Sequence, residues 1–197
     1  MAELNWRMEL PTLSGRSVTL REPAPGDANV VAELLSLGDA MRFGLEGPAE
    51  GEQASHAVIE QFVRERTHGR SLTYVVTVNA AGAPVGLIQV RALDPAFEAG
   101  EWESTFAPSA RGTGAFLEAA RLVASFVFDT VGAYRLEARV LMQNGRANGA
   151  LRKLGAVQEG VLRHSLRRDD QYFDQVLWSI LRDDWLERGA AASPRVH

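Results

Sequence analysis

The chain has no cysteine, only one lysine and no long apolar run, and each shortage removes a class of function. Without thiols there is no disulfide, no thiolate metal site and no cysteine nucleophile. No stretch approaches the ~20 apolar residues of a membrane span, and the opening MAELNWRMEL has no apolar signal core, so a cytoplasmic protein without a membrane partner is expected. A basic surplus is also missing: the formal net charge of −4 argues against a nucleic-acid partner. His56 and His68 lie in or beside a helix with no ligand-like companion, and no metal site is expected.

What is present is ordinary globular material. The 197 residues, 46% hydrophobic and 23% charged, suit one domain with a sizeable core. Its core is expected over about 16–187, with 1–14 as an N-terminal arm and 189–197 as a tail. Against the lone Lys153 stand twenty arginines. Arginine suits bidentate contacts to phosphate or carboxylate, and an arginine bias is also a common result of genome composition.

Hydrophobic period gives the order of elements. Ser17 to Arg21 reads as a strand, and Asp27 is placed to cap a helix carrying Val30, Val31, Leu34 and Leu35. A second helix spans about 50–67, after a glycine-rich loop from Gly38 to Gly51. Leu72 to Val78 and Val85 to Arg91 form a hairpin, and 101–106 (EWESTF) is a further strand. A helix follows with Phe116, Ala119, Ala120, Val123, Phe126 and Val127 on one face. Tyr134 to Val140 alternates as a strand, 146–154 is a short helix ended by Gly155, and two strands, Val161 to Arg167 and Gln175 to Leu181, close the fold. A last helix covers Arg182 to Arg188. The strand–loop–helix–strand centre needs a crossover, so part of the sheet is parallel.

The informative segment is Phe106 to Ala120. A strand, a glycine loop and a helix start present free backbone N–H groups and the positive end of a helix dipole, an arrangement that suits phosphate. Gly112 and Gly114 let the backbone approach a ligand closely, and Arg111 adds charge at the rim. The Walker pattern is absent, and the dinucleotide pattern G-x-G-x-x-G fails at Leu117. Alone, RGTG is equally compatible with a plain strand–helix turn.

Together these residues resemble the GNAT superfamily of N-acetyltransferases, and within it the branch similar to RimJ and RimL, the ribosomal-protein N-terminal acetyltransferases. The superfamily loop [QR]-x-x-G-x-[GA] is matched at Arg111 and Gly114. The branch's asparagine and K-L-G-[FA]-x-x-E-G-x-L-R run correspond to Asn144 and to Lys153 through Arg163. Its closing residues correspond to Tyr172, Asp174, Val176 to Ile180 and Trp185. Two positions depart from the pattern: Phe116 stands where the loop ends on a small residue, and Ala147 stands where the branch carries a serine proposed as acid for the departing thiolate.

The resemblance implies a three-layer α/β/α fold, with a mixed, mostly antiparallel sheet of about seven strands and helices on both faces. It implies acetyl-CoA as co-substrate, held by Phe106, Arg111, Gly112, Thr113, Gly114, Ala115 and Asn144. It also implies that the strand ending at Phe106 splays from the strand Ala133 to Leu141, with a main-chain N–H near Phe106 receiving the developing oxyanion. The acceptor is then a primary amine, on a small molecule or a protein N-terminus. Glu101 and Glu103, on one face of their strand opposite Trp102, Ser104 and Phe106, are the candidate bases, with Glu101 preferred because the branch usually carries an acidic residue there; the alternative for each is a solvated carboxylate at an edge. The resemblance sets Asn144 against the pantetheine arm in preference to a mere N-cap; His164 reads as a packed or rim histidine beside Leu162 and Leu166, and Asp174 as a residue that fixes a turn or binds substrate. Arg146 and Arg152 read as surface cations in preference to contacts with the 3′-phosphate. A non-catalytic acyl-CoA sensor on the same fold is the rival function, and pairing of the closing strands into a homodimer is expected.

Overall fold

In the strand Val18–Arg21 buried and half-buried residues alternate, whereas the strand Ser71–Val78 is buried without a break from Ser71 to Thr77, as a strand covered on both faces must be. The computed structural model describes residues 5–37, 52–78, 82–168 and 170–192. The loop from Gly38 to Gly51 with Gly44, Glu46 and Glu50 lies outside the described residues, as do Asp169 and 193–197.

The sheet runs in the order β1 (Leu13–Ser14), β2 (Val18–Arg21), β3 (Ser71–Val78), β4 (Pro84–Ala92), β5 (Ala99–Phe106), β6 (Arg135–Leu141), β8 (Gln171–Leu181), β7 (Val157–Arg168). All neighbours are antiparallel except β5 and β6. The strand beyond the expected seven is the two-residue β1. It belongs to the stretch read from sequence as an arm, of which residues 5–14 pack on the fold: Trp6 and Leu10 are buried, and Trp6 meets Phe97 edge to face at 5.5 Å.

Helices α1 (Ala28–Ser36) and α2 (Glu52–Thr67) cover one face of β3 and β4. There Val31, Leu34, Ile59 and Phe62 pack on Val75 and Leu87. Helices α3 (Ala115–Phe126) and α4 (Gly145–Leu154) cover the other face. Ala119, Ala120 and Val123 enter the larger core, which also holds Tyr74, Ile88, Val90, Trp102, Leu136 and Trp178. A π-helical turn, Val127–Val131, extends α3, and Gly132 at φ 91° turns the chain towards β6. The last helix, α5 (Arg182–Ala192), runs further than the sequence suggested.

Two local expectations are corrected. Asp27 holds the N-cap position of α1 but makes no side-chain cap bond. Its carboxylate instead accepts two bonds from the Arg21 guanidinium, at 2.6 and 2.8 Å, and one from Ala24 N–H at 2.8 Å. A charged, forked donor outcompetes a helix amide for the same oxygens. His164 does not continue the face of Leu162 and Leu166, because a bulge interrupts the pairing there and His164 sits at φ 50°.

Candidate active site

Strands β5 and β6 are paired only at Ala99↔Arg135, Gly100↔Leu136 and Glu101↔Glu137. Beyond Glu101, β5 stays with β4 as far as Gly86↔Phe106, while β6 stays with β8 as far as Leu141↔Gln175. Each strand keeps its outer partner, so the two part from one another. Gly86 makes room for the end of β5: a Cβ at that position would sit 2.5 Å from the Phe106 ring. The resulting cleft has a volume of about 1370 Å³ and is bordered by Glu103, Phe106, Arg111, Gly112, Gly114 and Asn144 among others.

The glycine loop closes one end. Gly112 and Gly114 have φ of 78° and 89°, which glycine adopts without the strain a side chain brings. Gly114 is the N-cap of α3 and provides no side-chain cap, so the first-turn amides beyond Ala115 stay available to an acceptor from outside. Thr113 braces the loop: its hydroxyl donates to Ala110 O at 2.8 Å and accepts from Ala115 N–H at 3.2 Å. Phe116, expected in the core, is half-buried at the cleft and meets Phe106 edge to face at 5.7 Å. That aromatic pair takes the place of the small residue found in the loop pattern.

The other end is α4. Asn144 is its N-cap and accepts from Ala147 N–H at 3.1 Å. Gly155 at φ 98° ends it. Asn148, which sequence reasoning passed over, donates to Leu141 O at 3.0 Å and to Asn144 O at 2.9 Å, and accepts from Trp178 Nε1 at 2.8 Å. Its position four residues after Asn144 was the available signal, because that spacing stacks the two on one helix face.

The two glutamates of β5 share a face, as alternation required, but occupy different surroundings. Glu103 borders the cleft. Glu101 is 5% exposed and does not border it. Its carboxylate is bonded to Arg91 at 2.6 Å and to Arg139 at 3.2 Å. Arg139 continues to Glu137 at 3.7 Å, and Glu137 to Arg135 at 2.8 Å. Arg135 then binds Glu159, whose carboxyl is pulled down to about 2 by hydrogen bonds from Arg135 and from the Ser179 hydroxyl. Arg139 and Arg168 also border the cleft and were not singled out from sequence. Elsewhere, Asp174 accepts His164 N–H at 2.8 Å and so fixes the bulge of β7.

Residues 17–157 match the family model of the GNAT acetyltransferase domain. Spermidine N(1)-acetyltransferase of Escherichia coli K12 is 25% identical over 88% of this chain and 90% of that enzyme. Among solved structures, Mycobacterium smegmatis RimJ in complex with CoA-disulfide aligns with a TM-score of 0.76 at 23% identity, over 95% of this chain and 96% of that one. The microcin C7 self-immunity acetyltransferase MccE, in complex with acetyl-CoA and AMP, aligns with a TM-score of 0.72 at 18% identity, over 85% and 93%.

Proposed function

The chain belongs to the GNAT acetyltransferase family, and on that premise we propose that it moves an acetyl group from acetyl-CoA to a primary amine by direct attack. The acceptor is a protein N-terminus or a small-molecule amine, on the RimJ/RimL-like pattern. The observation that carries the reading is the cleft between the parted strands, ended by a loop with two positive-φ glycines and a helix start whose N-cap, Gly114, has no side chain. Amides of Gly112 to Ala115 take the pyrophosphate, with Ala115 N–H exchanging its 3.2 Å bond to the Thr113 hydroxyl for the ligand; Arg111 adds charge at the rim, and Asn144 stands beside the pantetheine arm.

In the reaction the amine nitrogen attacks the thioester carbonyl carbon. The N–C bond forms, the C–S bond breaks, and the amine loses one proton as the thiolate gains one. A main-chain N–H near Phe106 is the donor for the oxyanion. Of the two candidate bases we favour Glu103, which borders the cleft, over Glu101, which the resemblance favoured but which does not border it. An α-amine, with a pKa near ~8, needs little help from a base, whereas a lysine near ~10.4 needs more. Ala147 carries no proton for the thiolate, so this chain cannot use the serine of the branch, and we assign that proton to solvent.

Steady-state thiol release from acetyl-CoA with a panel of peptides and small amines tests this. Acceptor-dependent release supports the enzyme. Ala147, in place of the branch's serine, is the one feature that favours the second reading, an acyl-CoA sensor, and binding of acetyl-CoA without turnover on any acceptor selects it.

A further inference from the structure

We infer that Asn148 is a positioning residue that holds the cleft between β5 and β6 open for coenzyme A before the ligand arrives; this rests on the acetyl-CoA reading above. Its carboxamide joins three elements. The amide nitrogen donates to Leu141 O, on the last residue of β6, and to Asn144 O, at the N-cap of α4. The carbonyl oxygen accepts from the indole N–H of Trp178 in β8, a residue 3% exposed within the core. Met142 O lies a further 3.5 Å from the same nitrogen.

The geometry assigns a direction to these bonds. Leu141 is where β6 leaves the gap, and both Leu141 and Asn144 border the cleft. Asn148 draws that end towards α4 and β8, away from β5. Only an amide offers two donors and an acceptor in one plane, so a carboxylate, a hydroxyl or an apolar side chain cannot serve all three neighbours. Arg152 lies over the Trp178 ring at 5.6 Å and covers the outer side of the same joint. Loss of the carboxamide leaves the Leu141 and Asn144 carbonyls to find other donors, and the parted strands lose the brace that fixes their separation.

The test is titration of CoA into the wild type and into Asn148→Ala, Asn148→Asp and Trp178→Phe, each with its melting temperature. Wild-type binding with roughly tenfold weaker binding by Asn148→Ala, at unchanged KM for the acceptor, supports the inference. In Asn148→Asp an ionised carboxylate faces two carbonyl oxygens, whereas its protonated form regains one donor. Its CoA affinity therefore rises relative to wild type as pH falls from about 8 to about 5. A residue needed only for folding shows no such pH signature. Trp178→Phe, which keeps a ring in the core and removes one donor, should lie between wild type and Asn148→Ala. CoA affinities within about twofold of wild type in folded variants overturn the inference. Failure of the wild type itself to bind CoA instead removes the acetyl-CoA reading.

Discussion

The Glu118 carboxylate, in the first turn of α3, accepts the backbone N–H of Ser17 in the turn between β1 and β2, with both oxygens at 3.2 Å. It also accepts from Arg16 N–H and the Ser17 hydroxyl, and its pKa is lowered, by the Ser17 hydroxyl first and then by the backbone donors. A turn near the start of the chain thus fixes the helix that follows the glycine loop. Gly15 permits the approach, since a Cβ there would sit 2.5 Å from a Glu118 oxygen. Glu118→Ala should cost about 1–2 kcal/mol in urea denaturation and weaken CoA binding in the folded variant. An unchanged CoA affinity would mean that α3 holds its place without the anchor.

Gly112 and Gly114 lie in open space, with no atom within 4 Å of a built Cβ. Replacing either by valine strains the backbone by about 1–2 kcal/mol through its positive φ and holds a ligand off the amides. Calorimetric titration should show CoA affinity falling at least tenfold for Gly114→Val, against a modest loss of melting temperature. Retained affinity in the folded double variant removes the pyrophosphate assignment.

Glu101→Gln and Glu103→Gln should separate cleanly. The first removes the charge between Arg91 and Arg139; because both arginines are partly exposed, a loss of about 1–3 kcal/mol is expected rather than the full penalty of a dry ion pair. The second should lower kcat more for lysine-like amines than for α-amines. Rate profiles against pH with the two acceptor types check it; equal losses for both acceptors would exclude Glu103 as base.

Stability should also respond to pH through Glu159. Its folded pKa, about 2, lies below the ordinary value of 4.5, so the contribution is complete above about 4.5 and is lost as pH falls from there towards 2. Because the side chain is 35% exposed, solvent screening limits the effect to about 1 kcal/mol or less. Denaturation curves at several pH values should show Glu159→Gln with a flatter acid limb than wild type, and added salt should narrow the difference.

Strand alternation and two glycines made β5, the loop and α3 readable in the chain, and Lys153-Leu154-Gly155 marked the end of α4. Long-range register was not readable. Glu101 and Glu103 share a face by period two, but which of them borders the cleft depends on where β5 leaves β6, and no local pattern encodes that point. Asp27 showed the residue type of a cap while its strongest partner, Arg21, lay upstream on β2. Trp6 and Leu10 are too few to show a period, so their packing was invisible until Phe97 supplied the other half of the contact.

The early end of the β5–β6 ladder has a thermodynamic result. Past Glu101 the facing edges of β5 and β6 form no ladder with each other, and on the acetyl-CoA reading a guest molecule fills that gap. Occupancy and rigidity become linked quantities: at one hundred times Kd a guest adds about 2.7 kcal/mol to the folded state. The seam is thus the place where this protein is least finished alone and gains most from company.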